Sequence, residues 1–151
     1  MNEDNAPQAG YVYPEEDDVF GYYLALLGTG LTIELLKTEQ RAAAVGGALG
    51  KPQMEAAYLG ASFVRQAALL VYSLIDNHPF SDGNKRVAFL ALFDFLELNG
   101  WGINARVEEY EEWGLRMAGD KPPKMTAEEF EILLAPRLEE LLPPNDLSHS
   151  P

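Results

Sequence analysis

The chain has 151 residues, 47% of them hydrophobic and 23% charged, which suits one domain with a core of its own and argues against a second. Eleven basic residues against 24 acidic ones give a net charge of −13, a field that repels a phosphate backbone, so no nucleic-acid partner is expected. The absence of cysteine excludes disulfides, thiolate metal sites and thiol nucleophiles.

Residues 1–15 hold Pro7, Gly10 and Pro14 without periodicity and read as a flexible N-terminal tail. Their acidic start lacks the basic and apolar regions of a signal peptide, which makes the cytoplasm the simplest address. From 17 to 37, Val19, Tyr22, Tyr23, Leu26 and Leu27 recur at helical spacing, with an interruption expected at Gly28 and Gly30. Residues 46–60, "GGALGKPQMEAAYLG", hold four glycines and a proline and follow neither period. They are expected to form a loop or short hairpin, a mobile flap.

Two apolar helices are predicted next, "SFVRQAALLVYSLID" over 62–76 and "RVAFLALFDFLEL" over 86–98. Being apolar on more than one face, they belong in the centre of a bundle. Arg65, Gln66, Asp76, Asp94 and Glu97 break these runs, so neither is a membrane span. The second should close at Asn99-Gly100. Further helices are predicted over 107–118 and 126–142, the latter opened by a capping-box pair, Thr126 and Glu129. The tail "PPNDLSHSP", 143–151, reads as flexible. No strand-period segment stands out, and the fold class is all-α.

Between the two central helices lies "DNHPFSDGNKR", residues 76–86, which carries the only histidine besides His149 in the tail. A polar loop here sits at the N-terminus of an inner helix, where unpaired N–H groups and the helix dipole favour an anion. Gly83 allows close approach of a phosphate, and Lys85 and Arg86 add full charges. Asp82 suits a Mg²⁺ shared with substrate phosphates. His78, an imidazole able to take and give a proton, is the candidate general base. Pro79 stiffens the loop and Phe80 can pin it to the core. Taken singly, each feature has a plainer reading: a turn at Asp82-Gly83, an N-cap at Asp82 or Asn84, solvated charge at Lys85-Arg86. Together they suit phosphate chemistry.

The string "HPFSDGNKR" resembles the signature of the Fic/Doc (Fido) family, and "ALGKPQ", "LIDN" and "FLELNG" extend the likeness to its death-on-curing (Doc) branch over about 46–104. The resemblance implies a compact Fido-type helical bundle over 16–142, with a small flap before the central helices. It implies His78 as general base, Asp82 as the Mg²⁺ ligand, and Phe80 as buried anchor. Gly83, Asn84, Lys85 and Arg86 would form the phosphate nest, with Arg86 the main charged contact. Members that transfer AMP usually have Gly where this chain has Lys85, and often a second Arg where it has Phe89. Both departures point to Doc-like toxins, which move a phosphoryl group from a nucleoside triphosphate such as ATP to a hydroxyl of elongation factor Tu. No internal inhibitory motif is present, so the resemblance implies a cognate antitoxin acting in trans. The alternatives are a Fic-type adenylyltransferase and a catalytically silent binding domain on the same scaffold.

Overall fold

The computed structural model describes residues 10–28 and 30–142. The proposed tail at 143–151 and the first nine residues lie outside them. In chain order the elements are α1 (Glu16–Leu27), α2 (Ile33–Leu36), α3 (Glu39–Leu59), α4 (Phe63–Asn77), α5 (Asn84–Leu98), β1 (Trp101–Ile103), α6 (Val107–Ala118), α7 (Ala127–Leu134) and β2 (Leu138–Glu140), with a 3₁₀ turn, Ala135–Arg137, before β2. The fold is all-α, with one two-stranded antiparallel sheet among the described residues.

Helix α1 starts in a capping box between Glu15 and Asp18, with three acids in its first turn to complement the dipole, and ends at Gly28 in the left-handed conformation (φ 62°). It buries Val19, Phe20 and Tyr23. Residues 10–15, expected to be loose, are tied down. The Asn99 side chain exchanges hydrogen bonds with both backbone groups of Val12 (2.8 and 2.9 Å). Tyr11 and Tyr13 lie on Phe63 and Phe95, and the Tyr13 hydroxyl donates to Gln66 Oε1 at 2.7 Å.

The expected flap is absent from the described structure: residues 46–59 continue α3, which runs unbroken from its Thr38 cap to Gly60 (φ 66°). Pro52 sits inside it, so the carbonyl of Ala48 loses its helical partner. Burial outweighs this cost, because Val45, Ala48, Leu49 and Pro52 fall at helical spacing on the face packed against α4. One of the glycines leaves room for a neighbour: a Cβ at Gly46 would lie 2.9 Å from the Glu16 carboxylate, whose side chain would have to shift.

The centre of the bundle is α4 against α5, as their apolar faces require. Ala67, Leu70, Val71 and Leu74 meet Val87, Ala88, Ala91, Leu92 and Phe95, all buried. Each large apolar side chain so buried contributes about 1.5–3 kcal/mol. Arg65 on α4 holds α3 and α7 through Glu55 (3.2 Å) and Glu128 (3.2 Å).

Helix α5 closes at Asn99 and Gly100 (φ 86°), and α6 spans 107–118. The long helix expected over 126–142 is corrected. Its N-terminal box forms, Thr126 Oγ1 accepting from Glu129 N–H at 3.1 Å, but α7 ends at Leu134. Pro136 cannot donate to the carbonyl one turn back, so the chain tightens into the 3₁₀ turn. It then pairs with β1, Trp101 facing Glu140 and Ile103 facing Leu138.

Candidate functional site

The connection from α4 to α5 is short and strongly shaped. His78 ends α4 in the left-handed region (φ 50°, ψ 56°), an uncommon conformation for a side chain with a Cβ. It turns the chain so that Pro79 and Phe80 enter the core while the His78 side chain stays exposed. Phe80 stacks on Tyr23 (centroids 4.1 Å, 18°) and meets Phe20 edge-on at 5.6 Å. The Arg41 guanidinium lies over both the Phe80 and Tyr23 rings and donates to the Leu36 carbonyl at 3.0 Å.

Asn84 locks the loop from the other side. Its Oδ1 accepts from Phe80 N–H and its Nδ2 donates to the Phe80 carbonyl, both at 2.9 Å, in a buried setting. The side chain is thereby committed to the loop, and what Asn84 can offer a ligand is its backbone N–H. Gly83 precedes α5 with φ 75°, where a side chain would be strained although Leu26, the nearest group to an added Cβ, is 3.5 Å away. Its carbonyl takes the first bond of α5, from Val87 N–H at 2.9 Å. The N–H groups of the first turn have no carbonyl one turn earlier to meet.

A cavity of about 350 Å³ opens over this turn. His78, Asp82, Gly83, Asn84 and Lys85 line it together. Arg86 does not. It is exposed and opens onto a neighbouring concavity of about 360 Å³ that shares Asp82, Gly83 and Lys85 with the first. Pro79 and Phe80 lie beneath, buried. Phe89, one turn after Arg86, belongs to the core, edge-on to Phe130.

Three further charged residues face the same cavity and carry no functional signal in the sequence: Asp76, Asp120 and Lys124. Asp76 reads in the sequence only as a break in an apolar run. Asp120 and Lys124 come from the turn between α6 and α7, more than thirty positions downstream of the loop, and no local pattern marks them. Lys85 Nζ lies 3.1 Å from Asp120 Oδ2. Among the described residues the carboxylate of Asp82 has no hydrogen-bonding or ionic partner, and no cluster of three metal-ligating side chains occurs. The arrangement combines an exposed imidazole, an uncommitted carboxylate, a helix N-terminus and an ammonium group around one opening.

The model of the Fic/DOC family matches residues 27–96, a segment that contains α2 to α4, most of α5 and the whole His78 loop. No curated protein matches the chain. The match covers just under half of the chain and ends before α6, so the turn bearing Asp120 and Lys124 lies outside it.

Proposed function

We propose that the protein is a transferase moving the γ-phosphoryl group of a nucleoside triphosphate, ATP in the first instance, to a hydroxyl on a protein. Members of the matched family are often transferases that modify proteins, which supports the reaction class. The observation that carries the reading is that His78, Asp82 and the N-terminal turn of α5 share one cavity.

In this scheme the target hydroxyl oxygen attacks the γ-phosphorus. The bond from that phosphorus to the β–γ bridging oxygen breaks, and the nucleoside diphosphate leaves. The hydroxyl proton goes to the His78 imidazole, which is exposed and able to meet a macromolecular substrate. First-turn N–H groups and Lys85 hold the phosphates, and Arg86 grips them from the adjoining concavity. Asp82 fits a Mg²⁺ ion, since its carboxylate oxygens are uncommitted and face the cavity. When bound, that ion supplies neutralisation of phosphate charge.

The biological role that suits this chemistry is a Doc-like toxin restrained by a cognate antitoxin in trans, with elongation factor Tu the first target to test and the cytoplasm its place of action. A second reading, AMP transfer with attack at the α-phosphorus and loss of pyrophosphate, is favoured by Gly83, whose missing side chain lets a phosphate approach the backbone. Incubating the protein and the translation factor with ATP labelled at the γ or the α position separates them. Label retained from the γ position is expected. Label retained only from the α position overturns the kinase reading in favour of AMP transfer, and nucleotide binding without labelling identifies a silent binding domain.

A further inference from the structure

Resting on that transferase reading, we infer that the turn between α6 and α7 forms the second half of the nucleotide site, with Lys124 a triphosphate-binding cation and Asp120 a positioning residue for Lys85.

The cavity has two walls. One is the His78 loop with the first turn of α5; the other is the end of α6 and the turn at 119–124, which present Met117, Asp120 and Lys124. The second wall is held by its own bonds. Gly119 closes α6 with φ 82°, the Asp120 N–H donates to the Leu115 carbonyl at 2.9 Å, and Arg116 Nε donates to the Pro123 carbonyl at 2.9 Å. The Met125 N–H then returns to the Arg116 carbonyl at 3.0 Å, and the Met125 side chain is buried. Asp120 and Lys124 are therefore displayed from a fixed turn.

Two ammonium groups face this cavity, in a chain of net charge −13. Lys85 is neutralised by Asp120 across the gap, in a pair whose side chains are 41% and 54% exposed. Such exposed pairs are weak and exchange readily for a more highly charged anion. The Asp120 carboxylate holds the Lys85 ammonium at the second wall, with the Lys85 stem lying along α6 at Gly114, and a phosphate oxygen can replace that carboxylate. Lys124 differs: it is exposed, lies 5.9 Å over the Tyr72 ring, and has no carboxylate partner among the described residues. It is the ammonium group without a carboxylate of its own in a cavity whose lining carries two lysines against three carboxylates, Asp76, Asp82 and Asp120. A polyanion entering with a divalent cation on Asp82 reverses that balance, and Lys124 is then placed to meet phosphates extending from the α5 turn toward the opposite wall.

The test is titration calorimetry of the full chain with ATP in excess Mg²⁺ and, separately, with inorganic triphosphate, alongside the labelling assay. Lys124→Gln should weaken binding of both probes about tenfold, the loss of one charged contact. Lys121→Gln, on the same turn but paired with Glu112 and outside the cavity lining, should stay within about twofold. Asp120→Asn should bind ATP at least as tightly as wild type, since a negative charge is removed, yet turn over several-fold more slowly, with Asp120→Glu regaining rate. All three side chains changed in these tests are exposed, so circular dichroism should show unchanged folds. Wild type that binds ATP while Lys124→Gln binds within twofold of it, or while Lys121→Gln loses as much, overturns the role of Lys124 and leaves the transferase reading standing. An Asp120→Asn turnover equal to wild type overturns the positioning role. Wild type that binds neither probe overturns both this inference and the reading it rests on.

Discussion

Replacing Asn84 with alanine should loosen the loop's geometry without removing any charged or proton-transferring group of the cavity. The amide spans the loop by two hydrogen bonds of 2.9 Å to the N–H and C=O of Phe80, and Asn84 is only 7% exposed. Alanine removes both partners and leaves two buried backbone groups unpaired, at about 1–3 kcal/mol each. The expected loss is about 2–5 kcal/mol, since water reaching one of the groups brings the sum toward the lower end. For a domain of this size that lowers the melting temperature by about 5–15 °C. Urea unfolding with an unchanged slope should give the same figure. Asn84→Asp offers an internal check: its carboxylate still accepts from the Phe80 N–H but faces the Phe80 carbonyl with a negative charge. The burden is relieved on protonation, because the folded state then holds a proton more tightly than the unfolded chain, so this variant should gain stability as pH falls. An Asn84→Ala protein that melts within about a degree of wild type would refute the clamp and with it the argument that the loop is pre-shaped.

Three other expectations concern the same core and loop. His78→Gly should be more stable than His78→Ala by about 1 kcal/mol, because glycine takes φ 50° without a Cβ penalty, and both should lose about 10²–10⁴-fold in transfer; equal stabilities would show that the left-handed turn carries no strain. Asp82→Asn should weaken ATP binding in Mg²⁺ but leave binding in chelator unaltered, and equal weakening under both conditions would remove Asp82 from the metal. Burial holds the Tyr22 hydroxyl well above the ordinary tyrosine range, with its hydrogen bond to Asp94 adding to the effect, and burial does the same for Tyr13. Each is then protonated when folded and ionised when unfolded above about pH 10, so stability should fall as pH rises past that point. Tyr22→Phe should flatten this alkaline decline by one proton, as measured by urea unfolding between pH 9 and about 11; an identical slope would mean the hydroxyl is not held neutral.

Much of the helical framework is written in local pattern. Thr126 with Glu129, Gly28, and the apolar faces of α4 and α5 each dictate structure within a turn or two of themselves, and they form as the spacing predicts. The string from His78 to Arg86 is equally local, so the loop and the helix N-terminus behind it are legible as one unit. Where local preference and packing disagree, packing decided. Gly46, Gly47, Gly50 and Pro52 suggest a flap, yet they lie in α3 because the face carrying Val45, Ala48 and Leu49 is worth burying against α4, and the glycine at 46 leaves room for the Glu16 side chain. Helical periodicity after Thr126 continues past Pro136, but the missing N–H there ends the helix and frees the chain to pair with β1. Arg86 adjoins Lys85 in sequence, and only the geometry of the first turn of α5 leaves Lys85 facing both openings and Arg86 only the second of them. Asp120 and Lys124 come to the cavity because α6 packs on α4 and α5, a long-range outcome of apolar burial that leaves no mark in the residues of the turn itself.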